Sequence, residues 1–179
     1  MDIELVIQAK KGNKEAFSIL IKSIQNDLYK IAKTRLNNDY DIADAIQETI
    51  INAYKYIKKL KDLSGFKSWV IKILINECNK IYKKKSKEKE IIEKEIIEKK
   101  YIDYTDTSIQ NSNSKLDFEI LIRKLDYDEK LIVTLYYNSH YSCKEISDIL
   151  NMNINTVKSK LLRAKEKVKK YYKGGIYNE

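Results

Sequence analysis

A chain of 179 residues with no proline and only four glycines can run in long uninterrupted helices from end to end. Its apolar residues use that freedom. Phe17, Leu20, Ile21, Ile24, Leu28 and Ile31 recur at helical steps, behind Asn13 as an N-cap and Gly12 as the stop of a short preceding helix. Ile42, Ile46, Ile50, Ala53, Ile57 and Leu60 make the buried stripe of a helix predicted from about Asp41 to Leu60. Its acids Asp41, Asp44 and Glu48 come early and its lysines 55, 58 and 59 late, in keeping with the helix dipole. A fourth helix is predicted from Ser64 or Gly65 to Lys85, anchored by Phe66, Trp69, Val70, Ile73 and Leu74.

Charge divides the chain. Residues 1–85 carry 17 basic and 10 acidic groups, residues 86–116 carry 6 and 7, and residues 117–179 carry 12 and 9. The last segment is polarised: 117–150 is net −3, whereas 151–173 holds eight basic residues against the single acid Glu166. The overall +9 points to a polyanionic partner, nucleic acid before an anionic membrane. Between the two basic blocks, residues 90–99 repeat Glu-Ile-Ile-Glu-Lys. That five-residue period drifts around a helix and reads as a solvated helical extension. Residues 105–114 are polar and aperiodic, as in a flexible linker. The expected architecture is all-α: two small helical domains, 1–85 and 117–179, joined by a linker at 86–116.

No apolar run approaches the roughly 18–20 residues of a membrane span. The first turn, Met1-Asp2-Ile3-Glu4, is acidic, unlike a signal peptide. Cys78 and Cys143 are expected to be reduced thiols of a cytoplasmic protein, with no membrane insertion.

On the fourth helix, Lys72, Asn76, Asn79 and Lys83 line one side, with Lys80, Lys84, Lys85, Lys87 and Tyr82 nearby. Amides that hydrogen-bond bases beside lysines that hold phosphates suit nucleic acid; a lysine-rich end serves solubility equally well. Asp44, Gln47, Glu48 and Ile51 share the face of the third helix opposite its apolar stripe, which by itself reads as solvated.

The C-terminal block opens with Asp126-Tyr127-Asp128-Glu129, a capping box before a helix burying Leu131, Ile132, Leu135 and Tyr136. Ser142-Cys143-Lys144-Glu145 is a second box, opening a short helix with Ile146, Ile149 and Leu150 inward. Asn151-Met152-Asn153 forms a turn suited to the left-handed tolerance of Asn. The last helix, about Ile154 to Tyr172, is expected to place Val157, Leu161, Leu162, Ala164 and Val168 inward. Asn155, Thr156, Lys158, Ser159, Lys160 and Arg163 are left outward. A short helix, a tight turn and a longer helix with a basic N-terminal face is the helix-turn-helix pattern, whose second helix enters the major groove N-terminus first. Four to seven phosphate contacts would give a log–log salt slope of about −4 to −6.

These residues resemble a known family. Asp41-Ile42-Ala43-Asp44-Ala45-Ile46-Gln47-Glu48-Thr49, then Phe66-Lys67-Ser68-Trp69 and Asn76, resembles the core domain of bacterial sigma factors. Tyr141 through Leu150, and Thr156-Val157-Lys158-Ser159-Lys160-Leu161-Leu162-Arg163-Ala164, resembles their C-terminal domain. With these two domains alone the chain is similar to the extracytoplasmic-function (ECF) group. The resemblance implies that Asp44, Gln47, Glu48 and Ile51 dock on the β′ clamp helices of core RNA polymerase, with a further contact to the β flap. It implies that Lys61, Asp62, Leu63 and Ser64, with Asn76, Asn79, Lys80 and Lys83, take the −10 element, where protein contacts offset the cost of unstacking a base. It implies that Thr156, Lys158, Ser159, Lys160, Leu162 and Arg163 meet the −35 element, and that an anti-sigma factor is a partner. Asn151 stands where glycine is common, and Lys158 and Lys160 where arginine is frequent. Lysine lacks the planar fork that reads guanine.

The alternative is a helix-turn-helix regulator that replaces no sigma factor; it accounts for 126–173 but not for the Asp44–Gln47–Glu48 helix followed by Trp69 and Asn76. An enzyme is not expected. The chain lacks metal-spaced carboxylate pairs, a glycine-rich phosphate loop and a Cys/His cluster, and the His140–Cys143 pair reads as an ordinary helix boundary. No metal and no cofactor is expected.

Overall fold

The computed structural model describes residues 2–98 and 125–175, and all their regular elements are helical. Helix α1 spans Ile3–Lys10, α2 Lys14–Lys33, α3 Asp39–Tyr56 and α4 Phe66–Glu98. After the undescribed stretch come α5 (Tyr127–Val133), α6 (Cys143–Leu150) and α7 (Ile154–Gly175). The polar stretch 105–114 read as a linker lies outside the described residues.

Local chemistry sets the helix starts. Asn13 Oδ1 accepts the backbone N–H of Ala16 at 3.0 Å, and Gly12 ends α1 at φ +100°, a conformation that costs glycine little. Helix α3 begins two residues before the predicted Asp41, because Asn38 caps it: Asn38 Oδ1 accepts from the backbone N–H of Asp41 at 2.8 Å. It also ends earlier than expected, passing into a 3₁₀ turn at Ile57–Lys59. Helix α4 does not stop at Lys85 but continues to Glu98. Residues 86–98 contain neither glycine nor proline and are rich in Lys and Glu, which propagate a helix well.

Both predicted capping boxes form. Asp126 accepts from the backbone N–H groups of Asp128 and Glu129, and Glu129 accepts from that of Asp126. Ser142 and Glu145 repeat the pattern at α6. Helix α5 loosens into a π turn at Thr134–Asn138 that no sequence signal announced. Asn151 closes α6 in the left-handed region, at φ 51° and ψ 45°.

The N-terminal core gathers Phe17, Leu20, Leu28 and Ile31 of α2, Ile42 and Ala53 of α3, and Phe66, Val70, Ile71 and Leu74 of α4, all buried. Ile46, Ile50, Trp69 and Ile73 are only half-buried at its edge. In the C-terminal core, Leu131, Ile132 and Leu135 meet Ile146, Ile149, Val157, Leu161 and Ala164. Leu162, expected inward, is 58% exposed: its neighbour Leu161 holds the buried position and a helix turns about 100° per residue. The two domains also pack together, the π turn against α2 and α6 against α4. Among the described residues no helix is long and apolar enough to cross a membrane, and no group of His, Cys, Asp and Glu could hold a metal.

Candidate nucleic-acid and polymerase interfaces

Helix α3 has two distinct sides. Ile42, Ala45, Thr49 and Ala53 are buried, the Thr49 hydroxyl donating to the Ala45 carbonyl at 2.6 Å. Asp44, Gln47, Glu48 and Ile51 all stand exposed on the other side, Ile51 at 49%. An exposed isoleucine framed by carboxylates and an amide is suited to docking on a complementary basic-apolar surface.

A cleft of about 550 Å³ lies between α3 and α4. Asn76, Asn79 and Lys83 line it, three of the four residues placed on one helix face by their spacing, together with Lys80; Lys72 of that face does not. Asn52, Tyr56, Ile73 and Glu77 complete the lining and were not singled out from sequence. Glu77 is buried and organises the floor: its carboxylate accepts from Asn52 Nδ2 at 3.2 Å and from Lys80 Nζ at 2.9 Å. An acid three residues before a lysine on one helix was the available signal. Lys55 and Lys59 lie over the Tyr56 ring, at 5.4 and 5.0 Å from its centroid. An amide-rich cleft rimmed with lysines and one aromatic can hold a base by hydrogen bonding and stacking and its phosphates by charge.

The loop from Lys61 to Ser64 is not part of that cleft's lining. Lys61, Asp62 and Ser64 are exposed and Leu63 half-buried. Asp62 accepts from the Ser64 hydroxyl at 2.7 Å and from its backbone N–H at 3.0 Å; these bonds, led by the hydroxyl, hold its carboxyl below the usual range. These two bonds close a local turn just before α4.

On α7, Asn153 caps the first turn, its side chain accepting from the Asn155 backbone N–H at 2.8 Å. Thr156, Lys158, Ser159 and Arg163 are exposed on one side, as expected, and Leu162 joins them there. The Ser159 hydroxyl donates to the Asn155 carbonyl at 2.8 Å, and Arg163 Nε donates to the Ser159 carbonyl at 3.4 Å, which draws the guanidinium along the helix surface. Lys160 departs from its expected outward place. It is half-buried and pairs with Asp128 at 3.1 Å and Asp126 at 3.5 Å. Set only about 40–60° around the helix from the buried Ala164 and Val157, it is drawn to the acidic start of α5. Burial opposes its charge, but the hydrogen bond and charge of Asp128, with those of Asp126, prevail and hold its pKa above the usual value. A second tie fixes α7 to α5: Lys167 Nζ reaches the Glu129 carboxylate at 2.6 Å, and Glu129 is 1% exposed.

Between the domains sits Arg35, 7% exposed, a residue the sequence did not single out. Its guanidinium carbon stacks 3.8 Å from the centroid of the Tyr127 ring, Nη1 donates to the Tyr127 carbonyl at 3.3 Å, and Asp128 lies 3.8 Å away. The Tyr127 hydroxyl donates to Asn79 Oδ1 at 3.2 Å, and its ring meets Tyr82 at 5.1 Å between centroids. Beneath them Cys78 is fully buried, and burial pushes its thiol up to about 12.

Known proteins share this arrangement. Residues 20–88 match the family description "Sigma-70 region 2" and residues 116–168 match "Sigma-70, region 4", together more than half the chain. The ECF RNA polymerase sigma-E factor of Haemophilus influenzae is 27% identical over 176 residues, covering 93% of each chain. Among solved structures, the sigma factor RpoE in complex with the anti-sigma factor NepR from Bartonella quintana superposes with a TM-score of 0.71 at 21% identity, over 88% of this chain and 96% of that one. CnrH in complex with the cytosolic domain of CnrY gives 0.70 at 19% identity, over 97% of both. Two sigma regions in this order, with near full-length similarity to a curated ECF factor, decide the matter: the chain belongs to the extracytoplasmic-function group of sigma-70-family RNA polymerase sigma factors.

Proposed function

We propose that this sigma factor docks on the β′ clamp helices of core RNA polymerase through Asp44, Gln47, Glu48 and Ile51 of α3, and reaches the β flap with its C-terminal domain. The observation that carries the reading is the two-sided α3, whose exposed acid-and-isoleucine side backs onto the same cleft that gathers Asn76, Asn79, Lys80 and Lys83. Docking and −10 capture are thus coupled through one rigid helix. The loop Lys61–Ser64 and the cleft take the −10 element. Thr156, Lys158, Ser159, Leu162 and Arg163 take the −35 element, and Lys160 leaves the contact set for a supporting role beneath α7. The protein itself is not an enzyme; it places polymerase on promoters.

An anti-sigma factor belongs to the same reading. Two solved proteins of this fold were captured with another protein, in one case a named anti-sigma factor. Core enzyme supplied with this protein should initiate at a discrete set of promoters, and sequencing the transcripts identifies them. Failure to bind core enzyme would remove the polymerase reading altogether.

A further inference from the structure

Glu77 is an acid set in the cleft that the −10 reading gives to DNA. It is 8% exposed and lines that cleft beside Asn76 and Lys80. A carboxylate near phosphates is electrostatically unfavourable, and an amide would better serve a floor that met phosphates only. The pair with Lys80 does not account for it: the lysine side chain is 70% exposed, and so open an ion pair adds little to stability.

The carboxylate keeps acceptor capacity in reserve. Oε1 accepts from Asn52 Nδ2 at 3.2 Å and from Lys80 Nζ at 2.9 Å; Oε2, among the described residues, accepts from Lys80 alone, at 3.0 Å. Asn52, reaching across from α3, holds Oε1 in place. Lys80 sits on a flexible stem and can exchange the carboxylate for a phosphate as a strand enters. Oε2 then needs a new donor, since a poorly hydrated acceptor left unpaired is costly. Adenine N6 and cytosine N4 are amines that can supply it. At the same place guanine and thymine carry a carbonyl, whose lone pairs would oppose the carboxylate. Tyr56 and Ile73 line the same cleft and suit the flat face of a base.

We propose that Glu77 is a specificity-determining residue: its Oε2 accepts the exocyclic amine of one adenine or cytosine in the opened −10 strand and disfavours guanine and thymine there. The proposal rests on the −10 reading of the cleft and names the class of base that the cleft selects. Core enzyme carrying the full-length factor tests it, on a promoter identified by transcript sequencing whose −10 segment is premelted and randomised one position at a time. The wild-type factor should retain adenine or cytosine about tenfold over guanine and thymine at one position. Glu77→Ala should abolish that ratio and leave the preferences at the other positions unchanged. Glu77→Gln, of the same shape, should also flatten it, because an amide can either accept from an amine or donate to a carbonyl. Deleting the amine alone, with purine in place of adenine or 2-pyrimidinone in place of cytosine, should cost the wild-type factor about tenfold and the Glu77→Ala factor nothing. A preference that survives both substitutions would overturn the proposal. So would a uniform loss at every position, which marks a structural role only, or a Glu77-dependent preference for guanine or thymine. Failure of the −10 reading itself is recognisable separately, as a wild-type factor with no preference at any randomised position.

Discussion

On α7 the side chains of Thr156, Lys158, Ser159, Leu162 and Arg163 stand clear of the rest of the molecule, whereas Asn76 and Asn79 on α4 look into a gap faced by α5 and α6. The two faces also differ in how they are supported. The α7 face is held by polar devices: two capping boxes, the Asn151 turn, and the ties from Lys160 and Lys167 to the start of α5, 38 positions away in the case of Lys167 and Glu129. The α4 face depends on long-range packing of α2, α3 and α4, with Glu77 fixing Asn52 and Lys80 from below. The α7 face stands open as it is, whereas the α4 face is bordered by a second domain.

The largest expected effect separates polymerase docking from both. Asp44→Lys reverses a charge on the exposed side of α3, and like charges across an interface cost several kcal/mol, roughly a thousandfold in affinity. Core binding should be lost while duplex binding through α7 is unchanged, as read by native gel shifts with core enzyme and with −35 duplex. Equal loss of both would merge regions that are kept apart here. Next in size is Arg163→Ala, which should weaken −35 duplex binding by about 1–3 kcal/mol and relax selectivity in a promoter-variant panel. Unaltered selectivity would take Arg163 off the reading face.

A smaller effect tests the internal assignment of the two lysines. Lys158→Ala should reduce the salt slope of duplex binding by about one, because an exposed phosphate contact is lost. Lys160→Ala should leave the slope unchanged and lower the unfolding free energy by at most about 1 kcal/mol, its partly exposed ion pairs being screened. A slope change of the same size in both variants would return Lys160 to the DNA.

What was legible in the sequence follows the same division. Local signals were read correctly: the caps at Asn13, Asp126 and Ser142, the left-handed Asn151, and the buried stripe of α2 all depend on residues within a turn or two of each other, whereas of the α3 stripe Ile46 and Ile50 are only half-buried. The helical face Asn76–Lys83 was also legible, since spacing alone puts those side chains on one side. Asn52, Tyr56 and Glu77 were not, because a cleft between α3 and α4 is defined by packing across some 25 positions of sequence, as in the Asn52–Glu77 bond. Arg35 was invisible for the same reason; its partners Tyr127 and Asp128 lie some 92 positions away. Lys160 was expected outward and is half-buried, because it lies only about 40–60° around the helix from the buried Ala164 and Val157, within reach of the acidic start of α5.

The acid limb of stability provides the smallest and most local contrast between the two faces. Hydrogen bonds from Ser142, hydroxyl first and then backbone, hold the Glu145 carboxyl below its usual range. At Asp126 burial works the other way, but the Glu129 backbone N–H and the Lys160 charge outweigh it and the net shift is again downward. A carboxyl depressed on folding stabilises fully above its unfolded value and loses that contribution as pH falls through the folded one. Both caps therefore act at full strength at neutral pH and begin to fail only in acid, below the ordinary values of about 4.5 for Glu145 and about 3.8 for Asp126. Lys160, raised on folding, works at the other end: its contribution is complete below its unfolded value and is lost only in strong alkali. Urea midpoints of the full chain should thus be flat across neutrality and fall in acid. Asp126→Asn and Glu145→Gln, together, should flatten that fall where the C-terminal domain is the reporter. Because α4 and its neighbours are held by apolar packing, a probe at Trp69 should show little of the change; an equal response at Trp69 would mean that the C-terminal domain does not unfold independently of the N-terminal one.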